Sequence, residues 1–229
     1  MWKPERNWHI FCDFDGTVST VDVSDSLLEA FALPEWQDIE SEWKAGLIGS
    51  LECMRRQVEL MRCSRPALDA HLQQIGIDPA FPAFVAHCED AHLPLYILSD
   101  GIDYAIQAIL DRHRLGHLPV FANRLPFRGP DRYALAFPHA RKGCPVAAGT
   151  CKCQLMDGQR SEDDSTLLIG DGASDFCAAM DADLVLAKAS LRKFCRDKGV
   201  QHREFNDFRD VLEIVKKLPV PERQLAYHG

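Results

Sequence analysis

The chain has 229 residues, 46% of them hydrophobic, and a formal net charge of −8 at pH 7. That length suits one substantial domain, or one domain plus a small insert, and the apolar content can bury a real core. The acidic balance, without a long basic stripe, argues against a nucleic-acid partner, and no apolar run approaches the ~20 residues needed to span a bilayer, so no membrane association is expected. Any anionic ligand must be held by a local positive site, because the field of the whole protein does not favour it.

Nine cysteines is an odd number, and they are scattered. Cys12, Cys53, Cys63, Cys88, Cys177 and Cys195 fall inside expected strands or helices and read as small buried apolar residues; only Cys144, Cys151 and Cys153 cluster. The first residues, Met-Trp-Lys-Pro-Glu-Arg, lack the long apolar core of a signal peptide. Free thiols and a cytoplasmic location are expected.

In chain order, Trp8 to Asp13 is a strand of apolar type. It runs into Asp13-Phe14-Asp15-Gly16-Thr17, where Gly16 and Thr17 turn the chain out. From Asp22 the pattern becomes helical. Val23 to Ala32 places Leu27, Leu28 and Phe31 on one face, with Ser24 or Asp25 as its cap. Pro34 opens a second helix through Trp36, Ile39 and Trp43, broken by Gly46 and Gly49. Ser50 starts a third, with Leu51, Met54, Val58 and Met61 at helical spacing. Ser64 starts a fourth, with Pro66 in its first turn, ending near Gly76. A fifth runs from Pro79 to His92. This much helix between two strands exceeds what a single crossover needs. Residues 22–78 are therefore expected to be a helical insert over the site, with Gly46, Gly49 and Gly76 as flex points. Residues 1–21 and 79–229 then form the core.

Leu93 to Leu98 reads as a buried strand ending at Ser99-Asp100-Gly101, followed by a helix from Ile102 to His113. Leu118 to Asn123 is a short strand, Arg128 to Phe137 a small hairpin, and Pro138 to Cys153 an irregular loop. Thr166 to Ile169 is a strand ending at Gly170-Asp171-Gly172, with a helix from Asp175 through Met180. Asp183 to Ala187 is the last core strand, and helices near Ser190 to Lys198 and Phe208 to Lys217 follow. No internal repeat is evident.

Four sets of polar residues follow strands or sit in a connecting loop: Asp13 with Asp15, Ser99, a lysine, and Asp171 with Asp175. In a parallel α/β sheet the carboxyl ends of the strands are where ligands bind. One carboxylate at such an edge can attack while its neighbour handles protons, and a divalent cation would hold the pair ionised. Taken singly, each has a plainer reading. Ser99 and Asp175 are ordinary helix caps, and Asp171 suits a Gly-Asp-Gly turn.

The ordered set, from Asp13-x-Asp15-Gly-Thr through Ser99 and the lysine to Gly-Asp171-Gly-Ala-Ser-Asp175, resembles the four motifs of the haloacid dehalogenase superfamily, most of whose members are phosphatases. The resemblance implies a Rossmann-like parallel sheet with helices on both faces and an inserted α-helical cap of the C1 type, in the phosphoserine-phosphatase-like branch. It implies Asp13 as nucleophile, forming an aspartyl-phosphate, and Asp15 as the acid and base. Mg²⁺ is the expected cofactor because the ligands are hard oxygens: the Asp13 carboxylate, the Asp15 backbone carbonyl, Asp171 and Asp175. Ser99 and backbone N–H groups near Asp15, Gly16 and Gly101 would cradle the phosphoryl oxygens, and the lysine would neutralise charge.

Lys142 and Lys152 both lie in the right interval. The segment Pro138-His139 through Lys142-Gly143-Cys144 to Cys151-Lys152 resembles the cysteine-rich loop of the 2-hydroxy-3-keto-5-methylthiopentenyl-1-phosphate phosphatases of methionine salvage, and on that match the lysine is Lys152. Pro34-Glu35-Trp36 resembles a piece of that subgroup's cap. A similar loop occurs in phosphocholine and phosphoethanolamine phosphatases, which share Ser-Asp at Ser99-Asp100 where the salvage enzymes more often have Ser-Gly. Zinc binding by His139, Cys144, Cys151 and Cys153 is the rival reading of the loop, but the cysteine spacings of six and one depart from the usual two to four.

Specificity is expected from the insert. Arg55 and Arg56 are its clear basic pair. Trp36, Trp43 and Met54 would wall an apolar pocket, or else pack helix on helix. Asp22 and Glu29 would meet a substrate cation or hydroxyls, or else cap and solvate helices. The expected partner is a small phosphorylated metabolite, with the salvage ester first and phosphocholine, phosphoethanolamine or phosphoserine next. An exposed insert or loop surface would also allow a homodimer. Rival classes are a non-catalytic phosphate-binding regulator on the same fold, a response-regulator receiver and a dehalogenase. Asp15 argues against all three, and the insert further against a receiver.

Overall fold

The structure is a computed structural model and describes residues 7–219. Six parallel strands form one sheet in the order β3-β2-β1-β4-β5-β6. They are β1 (Trp8–Cys12), β2 (Leu95–Ile102), β3 (Val120–Asn123), β4 (Ser165–Gly170), β5 (Leu184–Ala187) and β6 (His202–Glu204). Strand order reverses at β1, which pairs with β2 on one side and β4 on the other, so the crevice of a doubly wound sheet opens at its tip.

The strands alternate between two apolar faces, as the period of two requires. Ile10, Cys12, Ile97, Leu167, Ile169, Leu184 and Leu186 join one buried cluster, and Phe11, Leu98, Leu168, Val185 and Ala187 the other. The first face is covered by α5 (Phe81–Asp90), α6 (Asp103–Arg112) and α10 (Phe208–Val215). The second is covered by α7 (Lys152–Gly158), α8 (Phe176–Asp181) and α9 (Ala189–Lys198). Phe208 stands edge-on to Phe81, with ring centroids 4.8 Å apart, and so ties the last helix to the fifth.

Between β1 and α5 lie α1 (Val23–Phe31), α2 (Trp36–Lys44), α3 (Ser50–Glu59) and α4 (Arg65–Leu72). The chain leaves and returns side by side: Ser19 bridges Ile77, and the Asp78 N–H donates to the Val18 carbonyl at 2.8 Å. Leu27, Leu28, Val58, Met61, Leu68 and Leu72 belong to the same apolar cluster as the first sheet face. Ser64 caps α4 by accepting from the Ala67 N–H, with Pro66 in the first turn, as the sequence predicts.

Several local expectations change. The cap of α1 is Asp22, whose carboxylate accepts from the Asp25 N–H at 2.9 Å, and neither Ser24 nor Asp25 takes that role. Strand β2 continues through Ser99, Asp100 and Gly101 to Ile102, with an irregularity in its pairing beyond Leu98. The loop from Pro138 stops at Cys151, and Lys152 starts α7, a helix too short to show periodicity. Strand β6 was missed because His-Arg-Glu carries no apolar signal at a sheet edge. The hairpin after β3 is reduced to two isolated bridges, Arg124 to Ala136 and Phe127 to Tyr133. Cys63 is buried in a connecting segment outside any helix, and Cys177 is only half-buried. All nine cysteines are free thiols. Among the described residues, no helix is long and apolar enough to cross a membrane.

Candidate active site

Register brings the polar residues together. Cys12 pairs with Ile97 on one side and Ile169 on the other. Asp13 follows Cys12 directly, while Ser99 and Asp171 each lie two residues past its partners, so all three emerge at one edge of the sheet. The Asp13 N–H donates to the Ile169 carbonyl at 2.9 Å, which extends the β1–β4 pairing one residue further, to Asp13.

The Phe14 carbonyl then accepts from the N–H groups of Thr17, Val18 and Ser19 and from the Ser19 hydroxyl, winding the chain into a tight turn. Gly16 sits in the left-handed region at φ +68°, and a Cβ there would stand 2.9 Å from Asp171 Oδ2, so both conformation and space call for glycine. The Gly16 N–H is spent on Ser19 Oγ at 3.1 Å and the Val21 carbonyl at 3.3 Å. It therefore stabilises the turn and does not face a ligand. No acceptor among the described residues takes the N–H of Phe14 or Asp15. The Gly101 N–H donates to Ser99 Oγ at 2.9 Å, and a Cβ on Gly101 would lie 2.6 Å from Asp15 Oδ2. Gly101 thus serves close approach of the β2 backbone to Asp15.

Lys152 is 3% exposed, and its Nζ donates to Asp13 Oδ1 and Asp175 Oδ1, each at 2.7 Å, and to Ser174 Oγ at 3.2 Å. Lys142 lies on the exposed part of the loop, so Lys152 is the lysine of the site. Asp175 is fully buried, and its Oδ2 accepts from the N–H groups of Asp171 and Gly172. Asp171 Oδ1 accepts from Thr17 Oγ1 at 3.2 Å. Oxygens of Asp13, Asp171 and Asp175 lie within 4.8 Å of one another, the sole such metal-ligand group among the described residues. Among the described residues, His139, Cys144, Cys151 and Cys153 form no such group.

Burial pushes the Asp13 carboxyl well above its ordinary range; Lys152 opposes this, and Asp175 and Asp171 add to it. Asp171 is likewise raised, first by burial and then by Asp175. Burial would lower the Lys152 ammonium, but Asp13 and Asp175 outweigh it and hold the group charged. Asp15 is pushed up to about 7, by burial first and then by Asp22, while Ser24 favours the charged form. Its Oδ2 accepts from Ser24 Oγ at 3.0 Å, and its Oδ1 is buried without a hydrogen-bond partner. That orphaned oxygen at the cavity floor has a desolvation cost that only an incoming donor can offset.

A cavity of about 420 Å³ opens above these groups. Its near wall carries Asp13, Asp15, Ser99 and Asp171. Its far wall carries Leu28, Trp43, Met54, Val58 and Met61, with the carboxylates of Asp22, Asp25 and Glu40. Asp22 opens to water at the mouth yet is flanked by protein, and burial raises its carboxyl. No lysine, arginine or histidine is among the described residues that line the cavity.

Four of the residues expected to set specificity do not reach it. Arg55 forks onto Glu52 and Glu59, and Arg56 onto Glu42 at 2.6 and 3.0 Å, both on the outer side of α3. The buried face of that helix is Cys53, Gln57 and Val58, which turns the arginines away. Trp36 packs against the main core, and Glu29 is exposed. Met54 and Asp22 do line the cavity. Residues missed in the sequence include Ser24, Glu40, Gln57, Ser50, Asn123 and Thr150. Asn123 could have been found as the last residue of a parallel strand, and Gln57 from its i+4 spacing to buried Cys53. Glu40 carries no such signal; its place depends on how α2 packs, with Gln57 Nε2 donating to its Oε2 at 2.9 Å.

A strand-tip Asp-x-Asp beside a buried lysine and a carboxylate cluster, on a doubly wound sheet, defines a hydrolase class. The chain belongs to the haloacid dehalogenase-like hydrolases, whose family model matches residues 10–180. It is similar to the 2-hydroxy-3-keto-5-methylthiopentenyl-1-phosphate phosphatase of Geobacillus kaustophilus, at 30% identity over 92% of this chain and 96% of that one. It is 28% identical to the Brevibacillus brevis protein of the same name, over 91% and 95% of the two chains. Among solved structures, a substrate-bound phosphoserine phosphatase complex shares the fold with TM-score 0.69 at 19% identity, covering 93% of this chain and 99% of that one. A phospho-aspartyl intermediate analogue of phosphoserine phosphatase matches with TM-score 0.67 at 21% identity, over 92% and 99%.

Proposed function

We propose that this chain is a Mg²⁺-dependent phosphatase that hydrolyses a small phosphate monoester through an aspartyl-phosphate on Asp13. The observation that carries this reading is the lysine–carboxylate pairing of Lys152 with Asp13, beside Asp15 with its unpartnered Oδ1. An Asp13 oxygen attacks phosphorus while the bond to the leaving oxygen breaks, and Asp15, protonated near neutral pH, gives that oxygen its proton. Water then attacks the phosphorus of the acyl phosphate, Asp15 takes the water's proton, and inorganic phosphate leaves Asp13. Lys152 and the N–H groups of Phe14 and Asp15 face the charge of the transferring group. Asp13, Asp171 and Asp175 supply hard, converging oxygens that suit Mg²⁺. When bound, the ion would neutralise charge on the transferring group.

Residues 22–78 act as the cap that selects the leaving group. The favoured substrate is 2-hydroxy-3-keto-5-methylthiopentenyl-1-phosphate, as in the names of the relatives. Trp43, Met54 and Met61 suit a thioether tail. A cavity lined by Asp22, Asp25 and Glu40, without a basic residue, disfavours a carboxylate-bearing ester such as phosphoserine. The same carboxylates beside Trp43 favour phosphocholine or phosphoethanolamine as a second reading. Nine free thiols fit a cytoplasmic enzyme.

The test is turnover of p-nitrophenyl phosphate with Mg²⁺ and with EDTA. Asp13→Asn is expected to lose about 10³-fold or more in kcat and to form no acyl phosphate. Activity that survives either EDTA or this substitution refutes the mechanism. Ranking the salvage ester, phosphocholine, phosphoethanolamine and phosphoserine by kcat/KM decides the substrate; a salvage ester no better than the others removes that assignment.

A further inference from the structure

Asp100 has a buried carboxylate that the proposed reaction does not use. It is 9% exposed and forms no ion pair among the described residues. Its Oδ2 accepts from Ser50 Oγ at 2.5 Å. Its Oδ1 accepts from the Thr150 N–H at 2.8 Å and from Asn123 Nδ2 at 3.2 Å. Asn123 Nδ2 also donates to the Asp100 carbonyl at 2.6 Å, and Thr150 Oγ1 donates to Asn123 Oδ1 at 3.3 Å. Burial raises the Asp100 carboxyl, and the three donors oppose the rise. A carboxylate buried without a cation is costly, and a position that needed only to continue β2 would not require one.

The three donors come from three separate segments of the chain that all reach this one carboxylate. Ser50 is the first residue of α3, above the cavity. Thr150 lies two residues before Lys152, on the loop that delivers it. Asn123 ends β3. Asp100 itself follows Ser99. The seam is tight on either side: the Leu51 N–H donates to the Ala147 carbonyl at 3.1 Å, and a Cβ on Gly49 would lie 2.4 Å from the Ala147 Cβ. The helix above the cavity and the lysine loop therefore share one contact line, with the Asp100 carboxylate at its inner end.

We propose that Asp100 is a positioning residue that couples the seating of α3 over the cavity to the placement of Lys152 beside Asp13. Opening at α3 releases Ser50 from Asp100 and loosens the hold on Thr150, so the site is complete only when the helix is seated. The inference rests on the phosphatase reading for its kinetic consequence but not for its structural one, and the two are measured separately.

The experiment uses the full chain with Ser50→Ala, Ser50→Thr, Asp100→Asn and the double variant Ser50→Ala/Asp100→Asn. Hydrogen–deuterium exchange is followed at residues 50–54 and 144–152, and p-nitrophenyl phosphate turnover is measured with Mg²⁺. In Ser50→Ala, exchange is expected to rise in both segments, although the substitution touches only the first. Its kcat falls about tenfold, the scale of one hydrogen bond to a charged group, with a smaller change in KM. Ser50→Thr, which keeps the hydroxyl, restores both. The double variant loses no more than Asp100→Asn alone, within about twofold, because both break one linkage.

Unchanged exchange at 144–152 in Ser50→Ala overturns the coupling, as does an unchanged kcat with only a lowered Tm, or losses that multiply in the double variant. If Asp100→Asn does not fold, the Ser50 pair still decides. If the unaltered chain turns over no phosphate ester, the phosphatase reading fails while the exchange result still judges the linkage.

Discussion

Asp15 shows how environment sets the work of a single carboxyl. In water it would be ionised at neutral pH; here burial and Asp22 raise it from 3.8 to about 7. As the proposed acid it must be protonated to release the leaving group, so kcat/KM should fall about tenfold per unit above pH 7. The neighbours give the sign of each shift. Removing the Asp22 charge with Asp22→Asn moves this limb to lower pH, and removing the Ser24 hydroxyl with Ser24→Ala moves it to higher pH. A pH profile with either limb displaced the other way refutes the assignment. The same shift bears on stability. A carboxyl raised on folding contributes fully below its unfolded value near 4, and that contribution is lost as pH rises through about 7. In the metal-free protein, Asp15→Asn should therefore be more stable than the unaltered chain above pH 7. The gain is up to about 4 kcal/mol, less because Asp15 keeps some contact with cavity water. Thermal melts across pH 5 to 9 in EDTA check it. The pair Asp13-x-Asp15 was legible in the sequence as two acids at a strand end. Their difference was not, because it comes from Lys152, Ser24 and Asp22, which lie elsewhere in the chain.

At the scale of the element, α3 shows how one helix can offer two surfaces. Its sequence displays a basic pair, Arg55 and Arg56, and its fold hides them from the cavity. Each sits in a half-exposed ion pair, Arg55 with Glu52 and Arg56 with Glu42, and water and salt screen such surface pairs so that they add little to stability. Arg55→Ala and Arg56→Ala should leave kcat/KM within about twofold and lower Tm by no more than about 4 °C. A tenfold rise in KM for either would return them to the site. The other face, with Cys53, Met54 and Gln57, bears on the cavity wall and on α2. The helical period was readable from Leu51, Met54 and Val58. Which stripe would face the site was not, because that depends on the angle at which α3 meets the β2 edge and the lysine loop. The short elements α7 and β6 were missed for a related reason: seven and three residues hold too little periodicity to mark themselves.

For the molecule as a whole, the dominant electrostatic fact is that an acidic chain gathers three of its carboxylates, Asp13, Asp171 and Asp175, around one point. Lys152 offsets only part of their repulsion. A divalent cation that binds the folded state alone should therefore stabilise it, by about 2.7 kcal/mol at a hundredfold excess over Kd. For a chain of this size that is a Tm rise of roughly 5–10 °C. Mg²⁺ added to chelated protein should raise Tm by that order, and Asp171→Asn should remove most of the rise. An equal rise in the variant would show that the ion binds elsewhere.

By itself the sequence determined five of the six strands, the helical insert and the order in which Asp13, Asp15, Ser99, a lysine, Asp171 and Asp175 occur. These are local properties: strands announce themselves by apolar runs, helices by period, and strand ends by glycine and acid. Only the tertiary structure decided which lysine pairs with Asp13, that Asp100 joins α3 to the lysine loop, and that the cavity wall is acidic and apolar with its arginines turned outward. Those are properties of distance between segments up to 139 residues apart, such as Lys152 and Asp13. Register and packing angle bring such segments together, and no window of the sequence contains them.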